Sequence, residues 1–156
     1  MLELILNNEA DTLALGAAIN LAINAMEGQD IEVHLSGNLG AGKTTLVRGI
    51  LHNAGWQESV TSPSYTLCEE YELNDQLFLH IDLYRTSAAE DIEILDLDRR
   101  TEKQKIIFIE WPENLVAKRS SHLIIELLHH NQIRQARISA ESAAIESSIK
   151  AYYEKI

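Results

Sequence analysis

The feature that most constrains this chain is an eight-residue loop, Gly37-Asn38-Leu39-Gly40-Ala41-Gly42-Lys43-Thr44, which matches G-x-x-x-x-G-K-[ST] at every fixed position. Residues 31–35 alternate apolar and polar side chains and predict a strand, and residues 43–54 predict a helix that ends at Gly55. Between such elements, glycines let successive backbone N–H groups point at phosphate oxygens, and the helix start adds a favourable dipole. The sequence therefore predicts a nucleotide-binding loop rather than a plain glycine turn.

Two side chains of the loop carry the charge and metal chemistry. Lys43 is expected to place a positive charge at the β- and γ-phosphates, which makes it a catalytic as well as a binding residue, and the Thr44 hydroxyl is expected to ligate Mg²⁺. The other residues that we expect to contact the nucleotide are Gly37, Asn38, Leu39, Gly40, Ala41, Gly42 and Thr45.

A loop of this kind needs a carboxylate at a strand end to hold the magnesium ion or its water, and Asp82 and Glu110 both follow apolar runs. Glu110 follows residues 106–109, a continuous apolar run that is typical of a strand buried on both faces. We expect Glu110 and Thr44 to hold the metal and Asp82 to position the attacking water, while which carboxylate touches the metal directly stays open. Trp111 follows Glu110 and is expected near the nucleotide.

The remaining patterns predict a single domain over residues 1–156, because the chain has no linker or repeat and its 46% hydrophobic content suits one core. The other predicted elements are a strand at 2–6, a helix at 9–26, hairpins at 66–73/77–81 and 122–128/133–138, an acidic surface helix within 88–100, and a closing helix at 141–156. The hairpins require antiparallel pairing, so the predicted fold is α/β, a three-layer P-loop NTPase-like fold with a mixed parallel/antiparallel sheet.

Composition limits the functions that this chain can have. Its 13 basic and 24 acidic residues give a net charge of −11, which argues against binding tRNA or DNA by charge alone. The single cysteine, Cys68, excludes an intramolecular disulfide. No apolar run reaches membrane-spanning length and the first residues lack a basic leader pattern, so we expect a cytoplasmic protein without a membrane partner.

Several classes of nucleotide-binding protein are disfavoured by missing motifs. The chain lacks N-K-x-D and D-x-x-G, which guanine-specific GTPases use, and L-S-G-G-Q, which transporter ATPases use. ATP is therefore favoured over GTP by elimination only. Two alternatives stay open at this point, namely a small-molecule P-loop kinase and a nucleotide-gated binding module with negligible turnover.

Four further motifs accompany the loop, and together they are far more specific than the loop alone. The segments are 12–16 (T-L-A-L-G), 39–49 (the loop with Arg48-Gly49), 60–67 (V-T-S-P-S-Y-T-L), 80–85 (H-I-D-L-Y-R) and 109–113 (I-E-W-P-E). With these segments in this order and spacing, the chain resembles the TsaE (YjeE) family of small bacterial ATPases. Two departures are Asn38, where the family usually has Asp, and Asp96, near a usual glycine.

The resemblance implies a Mg²⁺-dependent ATPase, slow without partners, that serves the formation of threonylcarbamoyladenosine in tRNA next to the anticodon. It implies action with the TsaD–TsaB complex and contact with tRNA only through that assembly. It also implies that Thr12 lies near the adenine, that Arg134 contacts the nucleotide, and that the loop with Thr61 and Ser62 senses the γ-phosphate or its metal.

Overall fold

The computed structural model describes residues 1–26, 28–63, 65–85 and 89–156, with the backbone alone for residues 89–91. The elements are β1 (Leu2–Leu6), α1 (Glu9–Asn24), β2 (Ile31–Ser36), α2 (Lys43–Ala54), β3 (Cys68–Leu73), β4 (Gln76–Asp82), α3 (Ala89–Ile94), β5 (Gln104–Glu110), a 3₁₀ turn (Pro112–Asn114), β6 (Leu123–His130), β7 (Ile133–Ala140) and α4 (Ala143–Lys155).

The strands form one seven-stranded sheet in the order β1-β7-β6-β2-β5-β4-β3. The central pairs β6–β2, β2–β5 and β5–β4 are parallel, whereas β1–β7, β7–β6 and β4–β3 at the two edges are antiparallel. Both predicted hairpins are present, so the prediction of an α/β fold with a mixed sheet is confirmed. The parallel centre brings the carboxyl ends of β2, β4 and β5 to the same edge of the sheet.

One face of the sheet is covered by α1, α2 and α4, and the main core lies between them. Alternate residues of the central strands point into this core, where the rings of Phe78 and Phe108 stack with centroids 6.0 Å apart. On the closing helix, Ile145, Ile149 and the two tyrosines lie on the buried side, as the helical spacing predicts.

Helices α1 and α2 touch through their backbones, because each has a glycine at the crossing. A Cβ atom on Gly16 would lie 2.6 Å from the carbonyl oxygen of Leu46, and one on Gly49 would lie 2.5 Å from that of Leu13. Two motif glycines therefore have a packing role, since they let α1 lie directly against the helix that carries the phosphate-binding loop.

The opposite face has a thinner cover, made in the described chain by the six-residue α3 and by loop segments over a smaller apolar cluster. The polar positions of β2 point to this face and are nevertheless buried. Glu32 accepts hydrogen bonds from Arg119 at 2.9 and 2.8 Å, and His34 lies 2.9 Å from the same carboxylate. The alternating pattern of β2 alone would predict that Glu32 is exposed to water. In the structure Glu32 is buried, and Arg119, which lies far along the chain, pairs with its charge.

Element ends differ slightly from the predicted ones. The first helix ends at Asn24 rather than Met26, and β3 begins at Cys68 rather than Thr66, whose hydroxyl bonds Glu69 instead. The acidic segment is helical only over Ala89–Ile94, and the predicted start of that helix, Ala88, lies outside the described residues. None of the described helices is long and apolar enough to cross a membrane.

Candidate functional site

The phosphate-binding loop joins β2 to α2 at the carboxyl edge of the sheet, where the sequence predicts it. Gly37, Gly40 and Gly42 have φ angles of 137°, 78° and 107°, in the region that side chains with a Cβ rarely adopt. The N-cap residue of α2 is Gly42, which has no side chain to cap the helix. Its first backbone N–H groups therefore face the loop, together with the positive end of the helix dipole.

Lys43 is the first residue of α2, and its side chain folds back over the loop. Its exposed fraction is only 5%, and its ammonium donates hydrogen bonds to the carbonyl oxygens of Gly37 and, at 3.1 Å, Asn38. The same ammonium lies 4.5 Å from the centre of the Trp111 ring. The lysine is thus held in a defined position within the loop, with a cation–π contact on one side.

Asp82 and Glu110 end two neighbouring parallel strands and are direct register partners. Their exposed fractions are 5% and 3%, and both line the same cleft as Lys43. Burial lowers the pKa of Lys43, whereas the charges of Glu110, Asp82 and Glu113 oppose that shift. The structure therefore brings together the cation and both carboxylates that the sequence singled out.

Asp82 is fixed by hydrogen bonds to both of its oxygens. The Ser62 hydroxyl donates to Oδ2 at 2.9 Å, and the backbone N–H of Tyr84 donates to Oδ1 at 2.9 Å. Ser62 belongs to the loop in which the sequence predicts a phosphate sensor, and the structure places it in the cleft. Thr61 beside it is exposed, and Ser64 of the same motif lies outside the described residues.

Glu110 has a partner that the sequence analysis did not assign. His80 lies two residues before Asp82 on β4, is fully buried, and places Nε2 at 2.5 Å from Oε2 of Glu110. The signal in the sequence is a polar side chain inside the otherwise apolar run of residues 77–81. The sequence therefore marks His80 as unusual, whereas its partner is seen only in the structure.

Trp111 leaves β5 with a positive φ of 59°, which turns its half-buried side chain into the cleft. Its ring packs against Tyr84 at 4.9 Å between centroids and against the ammonium of Lys43. Trp111 thus lies beside the loop, and its expected place near the nucleotide stays a prediction.

Two cavities adjoin each other at this edge. The cleft over the loop has a volume of about 360 Å³, and the neighbouring cavity has a volume of about 420 Å³. The cleft is lined by Leu39, Gly40, Gly42, Lys43, Thr44, Thr45, Ser62, Asp82, Glu110, Trp111 and Arg134. The neighbouring cavity is lined by Asn7, Asn8, Glu9, Thr45, His129, Gln132 and Arg134. Thr45 and Arg134 line both and mark where one continues into the other.

Thr12 lies beside the loop, and the place near the adenine that the resemblance implies for it stays a prediction. It is fully buried in the first turns of α1, its hydroxyl has no hydrogen-bond partner among the described residues, and it lines neither cavity. Its methyl group lies 3.7 Å from the position of a Cβ on Gly42, and a guanidinium nitrogen of Arg134 lies 3.6 Å from that position. Thr12 therefore packs behind the loop, whereas Arg134 reaches the cleft.

Comparison with known proteins gives consistent results for sequence and fold. The family described as "Threonylcarbamoyl adenosine biosynthesis protein TsaE" matches residues 6–138. The tRNA threonylcarbamoyladenosine biosynthesis protein TsaE of Nostoc sp. is 32% identical over 154 residues, which cover 96% of this chain and 92% of the relative. The protein of the same name from Haemophilus influenzae is 46% identical over 83 residues, which cover 53% of this chain and about half (52%) of the relative.

A solved structure is also similar over nearly the whole chain. The crystal structure of Bacillus subtilis YdiB superposes with a TM-score of 0.70, covering 99% of this chain and 95% of that one. The sequence identity is 24%, so this similarity bears on the fold alone.

Proposed function

The chain belongs to the TsaE family, and from this premise we propose that it binds and hydrolyses ATP with Mg²⁺ as a component of the machinery that forms threonylcarbamoyladenosine in tRNA. One observation carries the proposal. Lys43, Thr44 and the two strand-end carboxylates, Asp82 and Glu110, line a single cleft at the N-terminus of α2. This combination of cation, hydroxyl and carboxylates is the set that phosphoryl transfer to water requires.

The donor set of the cleft suits magnesium. Mg²⁺ prefers hard oxygen ligands and is usually held by one or two carboxylates together with phosphate oxygens and water. The Thr44 hydroxyl and the Glu110 carboxylate supply such oxygens, and Asp82 lies beside them. When bound, the ion would neutralise charge on the β- and γ-phosphates.

Lys43 is positioned to bind phosphate without reorganising the loop. An ammonium group has three donors, and two of them already bond the carbonyl oxygens of Gly37 and Asn38. These bonds orient the third donor, and the backbone N–H groups at the start of α2 supply further contacts to phosphate oxygens. The positive charge is therefore in place before the substrate arrives, which lowers the cost of binding.

Asp82 is the residue that we assign to the attacking water. Ser62 and the backbone of Tyr84 hold its two oxygens, so the carboxylate has a fixed direction in the cleft. A fixed acceptor contributes to rate by orienting the water for attack on the γ-phosphate. Because Ser62 lies on the loop before β3, the position of that loop also sets the position of Asp82.

The nucleoside end of ATP is assigned to the neighbouring cavity. It continues from the cleft past Thr45 and Arg134, towards the N-terminus of α1 and the β6–β7 turn. Arg134 stands between the two cavities, where its guanidinium can contact the α-phosphate or the ribose. This placement accommodates the triphosphate on the loop and the base beyond it.

The partners that we propose are those that the family resemblance implies, the TsaD–TsaB complex, with tRNA held by the assembly. The net charge of −11 favours a component that does not bind tRNA alone. Exposed aromatic side chains stand beside the cleft: Tyr84 packs on Trp111, and Arg85 lies 5.2 Å from the ring centre of Tyr65, which is 89% exposed. A partner covering this rim would exclude water from the cleft and complete the site.

The test separates the roles of the two carboxylates. Asp82→Ala should keep nucleotide affinity within several-fold but lose most of the partner-stimulated hydrolysis, because its contact with the water matters mainly in the transition state. Glu110→Ala should lose the magnesium dependence of binding as well as turnover. Asp98→Ala, which removes a carboxylate bound to Arg119 away from the cleft, is the matched control.

The measurements are ATP affinity with and without Mg²⁺, and hydrolysis with and without the TsaD–TsaB pair. When a partner completes such a site, the rate of hydrolysis increases by a factor of about 10³–10⁵. Full stimulated turnover in Asp82→Ala would contradict the water assignment, and an intact magnesium effect in Glu110→Ala would contradict the metal assignment. Phosphate transfer to a small-molecule acceptor in place of water would instead indicate a kinase.

A further inference from the structure

We propose that His80 is a positioning residue for the metal side of this cleft: its Nε2–H holds one oxygen of Glu110 and thereby presents the other oxygen to the cleft. The inference rests on the proposed function, since it concerns how the chain's own residues prepare a magnesium-binding carboxylate. It assigns a role to a residue that makes no contact with substrate.

The proton of His80 is placed by the surroundings of its two ring nitrogens. Nε2 lies 2.5 Å from Oε2 of Glu110, whereas Nδ1 is buried without a hydrogen-bond partner among the described residues. A proton on Nδ1 would be a buried donor without a partner among the described residues, which is unfavourable. We therefore place an N–H on Nε2, where it donates to Oε2 of Glu110.

Burying the ring nitrogens of His80 lowers the stability of the fold unless a contact compensates for it. Its neighbours along β4 are Phe78, Leu79 and Ile81, all fully buried, so an apolar side chain would fill the same space without burying ring nitrogens. Nδ1 has no hydrogen-bond partner among the described residues, so the contact of Nε2 with Glu110 is what compensates for burying the ring.

That contact constrains the carboxylate that lines the cleft. With Oε2 held by His80, Oε1 is the oxygen that remains for a metal ion or its water. The side chain also stands beside Asp82 on the neighbouring strand, so an unheld Glu110 would be free to turn away from this second negative charge. Partners that orient a ligating carboxylate in this way typically account for 10–100-fold in metal affinity or activity.

The experiment compares three replacements of His80 with a matched control. His80→Gln places an amide N–H where Nε2 stands, His80→Asn places one nearer the position of Nδ1, and His80→Leu removes the donor. The control is His34→Leu, because His34 is also buried and also paired with a glutamate, Glu32, but on the opposite face of the sheet.

The readout is the ratio of dissociation constants for the β,γ-imido analogue of ATP without and with Mg²⁺, which involves no turnover. We expect His80→Leu and His80→Asn to lower this ratio 10–100-fold relative to the wild type, His80→Gln to restore most of it, and His34→Leu to leave it unchanged. Urea unfolding of each variant reports the loss of stability separately.

An unchanged ratio in a folded His80→Leu or His80→Asn variant would overturn the inference, and so would an equal loss in the Gln and Asn variants. If His80→Leu does not fold, the contrast between Gln and Asn decides. If the wild type binds the analogue equally well with and without Mg²⁺, the positioning role is overturned, whereas nucleotide binding stands. If the wild type does not bind the analogue at all, the proposed function fails and this inference fails with it.

Discussion

Replacing Lys43 with alanine removes the one side-chain cation that the structure holds inside the phosphate-binding loop. Two of its three donors bond the loop carbonyls of Gly37 and Asn38, which leaves one donor for a phosphate oxygen. A hydrogen bond to a charged group contributes about 1.5–3 kcal/mol, and its loss alone weakens binding by roughly 10–150-fold. The loop also loses the two bonds that hold it closed, so we expect nucleotide binding to be nearly abolished.

The assay is titration with a fluorescent ATP analogue, together with urea unfolding. Lys105→Ala is the matched control, because Lys105 is an equally buried lysine whose ammonium bonds the carbonyl of Arg99 at 2.7 Å, near the start of β5 and away from the cleft. We expect Lys105→Ala to lose stability but to bind the analogue normally. Affinity like that of the wild type in Lys43→Ala, or an equal loss in both variants, would refute the assignment of the loop as the phosphate site.

Two further predictions concern the surroundings of the loop. With Trp56→Phe as the background, Trp111 is the single tryptophan, and its emission should change on addition of Mg-ATP because its ring contacts Lys43; an unchanged spectrum would show that the ring does not report the site. Gly49→Ala should lower the free energy of unfolding by about 1–3 kcal/mol through overpacking against the backbone of α1, as measured in urea, and an unchanged midpoint would contradict the close helix crossing.

The parts of this fold that could be predicted from sequence are those marked by local signals. Glycines bracket the loop and α2, so the helix runs from Lys43 to Ala54 as predicted. Asp82 and Glu110 each follow an apolar run, and parallel pairing then places them side by side. The bounds of the loop, of α2 and of the two strand ends follow from residues close together in the chain, whereas the pairing of the two strands does not.

The parts that could not be predicted depend on residues far apart in sequence. The contact between His80 and Glu110 joins two strands, and the burial of Glu32 depends on Arg119, 87 positions later in the chain. The burial of Thr12 beside Gly42 follows from the packing of α1 on α2. Tertiary packing, which no local pattern encodes, decides these three positions.

The most direct test of the account is a map of backbone amide shifts in the ¹⁵N-labelled protein as Mg-ATP is added. We expect the largest changes at the N–H groups of residues 39–45, where the loop meets the start of α2, and smaller changes at Trp111 and Arg134. The cavity beside Arg119 on the other face of the sheet should show no response. Saturable changes confined to that cavity, or no changes at residues 39–45, would contradict the claim that this loop binds the nucleotide.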